Sequence, residues 1–253
     1  MAGLEQQGGM NMREHLKIGL VVPFATDKIP VEGPLMYPDV TFIPKGVGVR
    51  ALTPEGYDAA FDAILPAAKE LAKLDIDAIM VIGTSLTFYR GYDAHQKLLQ
   101  QLRDETGLPV STMSEAVVDG LRSVGAKRVA VATAYSDLVN DRLADFLRHA
   151  GFEVQSMKGF GILEFGGAER MTEQDIIKLA GTAIGEAKTP DAVLISCGGL
   201  MTLNCAAPIE SKHGTPVVTS TQSAFWKALR LAGDSGHVAG HGKMLEQSAA
   251  VPA

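Results

Sequence analysis

Two apolar runs in this 253-residue chain end in small, polar residues, and only one of those ends carries a thiol. Ala192-Val193-Leu194-Ile195-Ser196 leads into Cys197-Gly198-Gly199, and Ala78-Ile79-Met80-Val81-Ile82 leads into Gly83-Thr84-Ser85. Facing each other, the two ends would make one pocket with two walls. A pocket with a thiol on both walls can move protons on both faces of a carbon, whereas one thiol delivers a proton to one face only. The glycine at the first end therefore points to one-sided proton delivery, with Cys197 as the catalytic candidate. By residue type alone Cys197 reads equally as a buried structural cysteine. The strand end, the two glycines and a helix N-terminus expected beyond them favour a functional one. Cys205 has none of these features and is expected to be structural.

Neutral hydrogen-bond donors surround both ends. Gly198 and Gly199 let backbone approach a ligand and expose N–H groups, and a helix starting beyond them would favour an anion. An ordinary tight turn would use the same pair. Thr84 and Ser85 offer two hydroxyls, or simply cap a helix. Tyr135, just after the run Arg128–Thr133, offers a phenol, or is a buried tyrosine with its hydroxyl satisfied. No Arg or Lys is plainly placed to clamp a carboxylate, although Arg90 is near enough to consider.

Other chemistries find no support. The chain has neither a Gly-x-Gly-x-x-Gly fingerprint nor a Walker A loop, and no Gly-x-Ser-x-Gly elbow. His237 and His241 sit in a Gly-rich segment where helical ligand geometry is not expected, so neither metal nor cofactor is anticipated. A net charge of -6 without a basic stripe argues against a nucleic-acid partner. The apolar runs are strand-sized, well short of the roughly 20 residues that span a bilayer, so no membrane partner is expected. Two cysteines, and an N-terminus without an apolar core, suit a cytoplasmic protein. A monomer is favoured.

Strand-like runs alternate with helical ones along the chain, the pattern of parallel sheets built from right-handed βαβ units. Lys17–Pro23 is the first strand, followed by a Pro/Gly-rich loop to Thr53, then a helix that Thr53 caps and Pro54 opens. Later strands fall at 78–82, 108–111, 128–133, 152–156, 192–197 and 216–220. Helices fall at 92–106, 114–124, 136–150, 172–187, 202–213 and from 220 to about 232. The spacing repeats: Pro23 to Gly83 spans 60 positions and Ala134 to Cys197 spans 63. The fold class expected is α/β with two pseudo-symmetric lobes, each a mainly parallel sheet flanked by helices, and the active site in the cleft between them. The first lobe covers 16–113 with the C-terminal helical segment 222–246, the second covers 114–221, and 1–15 and 247–253 are flexible tails.

Certain segments are more specific. They include Tyr37-Pro38-Asp39, Thr53-Pro54-Glu55-Gly56-Tyr57-Asp58, Gly83-Thr84-Ser85-Leu86-Thr87-Phe88-Tyr89-Arg90-Gly91, Ala132-Thr133-Ala134-Tyr135, Val139-Asn140, Ser196-Cys197-Gly198-Gly199-Leu200 and Phe225-Trp226. In these the chain resembles the arylmalonate decarboxylases, within the aspartate/glutamate racemase and maleate isomerase superfamily. The resemblance covers roughly 17–246. It implies that Gly83 stands where racemases and isomerases carry a first-lobe cysteine, and that Cys197 is the retained second-lobe cysteine. It further implies that Thr84, Ser85 and Tyr135, with N–H groups around Ser85 and Gly198, hold one carboxylate of a small-molecule dicarboxylate in a dioxyanion hole. By position, Pro23, Val49, Leu52, Leu86, Phe165 and Ala168 would line an apolar pocket for the other carboxylate, with Gly83 and Gly199 also in the substrate pocket. Phe24 is bulkier than the pattern implies, and 161–168 departs from it most.

The activity so implied is cofactor-independent decarboxylation of α-aryl or alkenyl malonates to enantioenriched α-aryl acids, through an enediolate protonated by Cys197. A cofactor-independent racemase or maleate-type isomerase is the alternative enzyme, and needs a second acid or base that Gly83 does not supply. A non-catalytic aryl-acid binding protein is the alternative of another class.

Overall fold

Val-, Ile- and Leu-rich runs form two parallel sheets of the same design in the computed structural model, which describes residues 12–49 and 52–247. The first sheet contains β1 (Lys17–Val22), β2 (Thr41–Gly46), β3 (Ala78–Val81) and β4 (Val110–Thr112), in the order β2-β1-β3-β4. The second contains β5 (Arg128–Thr133), β6 (Glu153–Gly159), β7 (Ala192–Ser196) and β8 (Val217–Thr219), in the order β6-β5-β7-β8. Every pairing is parallel. β3 and β7 are buried at every position, as expected where helices cover both faces.

The helices are α1 (Glu32–Met36), α2 (Pro54–Leu71), α3 (Thr84–Phe88), α4 (Tyr92–Thr106), α5 (Met113–Ser123), α6 (Asp137–His149), α7 (Glu173–Glu186), α8 (Ala206–His213), α9 (Ser220–Leu231) and α10 (Lys243–Glu246). α2 starts as its sequence predicts: Thr53 Oγ1 accepts the Gly56 N–H at 3.2 Å and Pro54 occupies the first turn. α9 joins the sheets, packing on β3 and β4 of one, β7 and β8 of the other, and on α5. None of the helices among the described residues is long and apolar enough to cross a membrane.

Four expectations need correction. The Pro/Gly-rich segment before Thr53 is not all loop, because it contains α1 and β2. Pro44 in β2 has no N–H to give, and an edge strand tolerates that. The helix expected from Thr202 begins only at Ala206, which places Pro208 in the first turn, where a missing N–H costs nothing. Helix in the 222–246 segment is interrupted: α9 ends at Leu231 and only the short α10 follows. The tail expected at 1–15 is ordered from Met12, where a 3-10 turn lets Arg13 pair with Asp234 at 2.9 Å; 1–11 and 248–253 lie outside the described residues.

Candidate active site

A pocket opens beyond the carboxyl ends of β1, β3, β5 and β7, where the strand order of each sheet reverses and open α/β sheets place their ligands. It brings together Pro23, Val49, Leu52, Gly83, Thr84, Ser85, Leu86, Tyr135, Phe165, Ala168, Cys197, Gly198 and Gly199, residues from both halves of the sequence. Its volume of about 90 Å³ is several times the space one water needs.

The first wall is a helix start. Gly83 leaves β3 at φ 115°, in the left-handed region that favours glycine, and α3 begins at the next residue. Helix geometry leaves the first-turn N–H groups of α3 without intrahelical partners, so the backbone at Thr84 and Ser85 can donate to a ligand. A Cβ on Gly83 would sit 3.1 Å from Leu86 Cβ and 3.7 Å from Pro23 Cβ.

The second wall is built differently, and the helix expected directly after Gly199 is absent. Cys197 enters a turn whose N–H groups fold back on it: Gly199 N–H donates to Sγ at 3.4 Å and Leu200 N–H to the Cys197 carbonyl at 3.2 Å. Burial pushes the Cys197 thiol up, the N–H bonds pull it down, and burial wins, leaving it at about 11. Cys197 is therefore a neutral thiol at ordinary pH. The far end of the turn is held from the other sheet's side. Thr202 donates both its N–H and its hydroxyl (3.1 Å) to the buried carboxylate of Glu32 on α1. Burial raises that carboxyl above its ordinary value, against the hydrogen bonds from Thr202.

Between the walls stand two tyrosines. The Tyr135 hydroxyl lies 3.3 Å from Ser196 Oγ, and burial pushes the phenol far up. Tyr57, on the first turn of α2, was not singled out by sequence. It stacks on Tyr89 at 4.3 Å, and its buried hydroxyl has no hydrogen-bond partner among the described residues. Burial raises it to about 12, with Ser85 beside it and lowering it. Its one signal was position: the buried stripe Ala60, Ile64, Ala67 continues back through Tyr57. Both phenols remain proton donors at neutral pH.

Pro23, Val49, Leu52, Leu86 and Ala168 form an apolar side, to which the structure adds Pro30, Ile82 and Ile162. Phe24 and Phe165, both in the lining, meet edge to face at 6.3 Å, one from each half of the chain. Glu164 and Glu169 also line the pocket, paired with Arg170 at 2.9 Å and Lys28 at 3.8 Å. Arg90 is not a clamp: it binds Asp58 and Asp62, each at 2.6 Å, and lies over Phe61. Among the described residues the pocket lining holds no Lys or Arg, and no group of three or more His, Cys, Asp or Glu side chains could hold a metal ion. Cys205 is buried away from the pocket at the start of α8, its thiol pushed up to about 12.

The chain is similar to known proteins along nearly its whole length. The family model for arylmalonate decarboxylase matches residues 18–245. Arylmalonate decarboxylase of Bordetella bronchiseptica is 40% identical over 232 residues, which is 91% of this chain and 97% of that protein. A maleate isomerase of Pseudomonas putida is 29% identical over 243 residues, covering 87% of this chain and 94% of that protein. Among solved structures, a liganded double mutant of arylmalonate decarboxylase superposes with a TM-score of 0.90 at 39% identity, over 92% of this chain and all of that one. Maleate isomerase Iso from Pseudomonas putida S16 shares the fold, with a TM-score of 0.83 at 23% identity over 93% of this chain and 99% of that one.

Proposed function

The chain belongs to the arylmalonate decarboxylase family, and on that premise we propose that it decarboxylates α-aryl or alkenyl malonates to α-aryl carboxylic acids enriched in one enantiomer. One observation carries this assignment above the others: a single thiol, kept protonated by burial, shares a pocket with a wall of neutral donors, and a glycine stands where a second thiol would be needed.

The retained carboxylate sits at Thr84, Ser85 and Tyr135, with the N–H groups of Ser85 and Gly198, and Tyr57 adds a phenol beside Ser85. The departing carboxylate lies against the apolar side chains of Pro23, Val49, Leu52, Leu86, Phe165 and Ala168, an environment that solvates CO2 better than an anion. When the C–C bond breaks, its electron pair passes into an enediolate delocalised over the retained carboxylate and the aryl ring. Fixed donors aimed at that growing charge supply the catalysis, since losing one such donor typically costs about 3–4 kcal/mol. Cys197 then gives its S–H proton to the planar carbon from its own side. The thiolate so formed is held by the Gly199 N–H until water returns a proton. The aryl ring and the donors together serve as the electron sink, so the scheme calls for no cofactor.

The test is incubation of metal-stripped protein with phenylmalonate and its α-methyl analogue, following CO2 release and product chirality. Release of CO2 with one enantiomer in excess is expected. Intact substrate would refute the assignment, and maleate and α-aryl acids would then separate an isomerase or racemase from a binding protein.

A further inference from the structure

Behind the donor wall runs a set of buried hydroxyls, two of which, Ser220 and Ser196, the scheme above leaves unused. Thr84 Oγ1 donates to Ser220 Oγ at 2.8 Å, Ser220 Oγ donates to Ser196 Oγ at 3.3 Å, and Ser196 Oγ lies 3.3 Å from Tyr135 Oη. The Tyr135 hydroxyl is also beside Thr84. The four residues come from α3, α9, β7 and the loop after β5, so both sheets contribute, and all are buried. Neither serine lines the pocket. Nor does Ser220 serve its own helix: Thr219 is the N-cap of α9, its hydroxyl accepting the Gln222 N–H at 3.3 Å.

We propose that Ser220 and Ser196 are positioning residues for the decarboxylation, acting through Thr84 and Tyr135. This rests on the assignment of Thr84 and Tyr135 to the retained carboxylate. A hydroxyl has one proton to donate. Without substrate, Thr84 gives its proton to Ser220, so Thr84 reaches a carboxylate only by turning that proton away. Ser220 can then reverse, donating to Thr84 Oγ1 and releasing Ser196 Oγ, whose own proton is free to point at Tyr135 Oη. No proton changes oxygen; only the direction of the hydrogen bonds changes. A hydroxyl that receives a hydrogen bond is a more polarised donor, so the reversal strengthens Thr84 as charge builds on the carboxylate. Ser196 stands in the same relation to Tyr135.

A double-substitution cycle on phenylmalonate turnover tests the coupling. Thr84→Val removes a proposed substrate donor and should lower kcat roughly a hundredfold or more. Ser220→Ala should lower kcat roughly tenfold, the size of one lost neutral hydrogen bond, with KM changing less than kcat, and Ser220→Thr should recover most of it. Combined with Thr84→Val, Ser220→Ala should add nothing, because the residue through which it acts is gone. A further loss in the double variant, or an unchanged kcat in Ser220→Ala, would overturn the role of Ser220. An unchanged kcat in Thr84→Val would instead overturn the carboxylate site itself, and the positioning role with it. If Ser220→Ala fails to fold, Ser196→Ala with Tyr135→Phe gives the same cycle with the same readings.

Discussion

The two strand ends that meet at the pocket share a topology and little else. β3 and β7 hold the same place in their sheets, each between the strand that opens its lobe and an edge strand. After β3 the chain turns through Gly83 at φ 115° straight into α3, exposing donors. After β7 it makes a turn around Cys197, and no helix begins until Ala206. A helix start offers unpaired N–H groups and hydroxyls for a carboxylate, whereas a turn folded on the sulfur holds a thiol in place. The walls are thus specialised by backbone as well as by side chain. In the proposed reaction the first receives most of the charge and the second supplies the proton.

The largest expected effect comes from removing the proposed acid on the second wall. Cys197→Ala should reduce turnover of phenylmalonate by three orders of magnitude or more, on the order of an essential acid, while circular dichroism and Tm stay close to wild type. The pH profile sharpens the same point. In the proposed scheme the working form is the thiol, so kcat/KM should hold steady through neutral pH and fall only as the pH approaches the Cys197 value of about 11. A fall centred near the ordinary cysteine value of about 8.5 would mean the sulfur is not shielded as described.

Gly83→Cys asks whether the walls can be made alike. A second thiol there should let protons move on both faces and racemise 2-phenylpropionate, read by loss of optical rotation. The backbone resists: φ 115° costs a side chain roughly 1–2 kcal/mol, and Leu86 Cβ lies 3.1 Å from the new atom. A lower Tm is expected alongside the new activity. A folded Gly83→Cys protein that racemises nothing would show that the two walls do not address opposite faces of one carbon.

Glu32 takes the place of the missing helix on the second wall, anchoring the turn through Thr202. Glu32→Ala strands a buried N–H and hydroxyl, a loss of roughly 1–3 kcal/mol in stability, and should lower kcat by loosening Cys197. Glu32→Gln keeps an acceptor oxygen and should lose much less of both. Equal losses in the two variants would mean that the charge matters, and not the anchoring bonds.

Residues whose local pattern matched their role could be read from sequence. Thr53-Pro54 marked the start of α2, the apolar runs before Gly83 and Cys197 marked β3 and β7, and the small residues after them marked the pocket. What escaped depended on partners distant in sequence. β2 hides behind Pro44 because its edge position is a property of the sheet. Glu32 lies in a Pro/Gly-rich stretch and meets a residue 170 positions away. Tyr57 continues an apolar helix face, so nothing local reveals that it lines the pocket. Ser220 follows a capping threonine and looks like one more cap residue. The turn after Cys197 reads as a helix start because two glycines follow the strand, whereas Pro208 fits only the first turn of α8, which begins at Ala206.

The smallest effect separates the lobes at their opposite ends. Each sheet ties the start of its first strand to an aspartate ahead of its third: Asp77 accepts the Lys17 N–H at 2.7 Å, and Asp191 accepts the Arg128 N–H at 2.8 Å. Only the second is reinforced by its own strand residue, because Arg128 also reaches Asp191 with its guanidinium at 2.6 Å, whereas the Lys17 side chain turns to Asp75. The Arg128 contacts hold the Asp191 carboxyl well below its ordinary value of 3.8. A carboxyl depressed in the folded state contributes stability above its unfolded value, and that contribution is lost as pH falls through the folded one. Asp191→Asn should therefore lower Tm at pH 7, by roughly 2 °C for a partly exposed pair in a protein of this size. The variant and wild type should converge as the pH drops below 3.8. Asp77→Asn keeps an acceptor for the Lys17 N–H and should shift Tm less. Equal shifts at pH 7 would mean that the guanidinium adds nothing to the backbone tie the two lobes share.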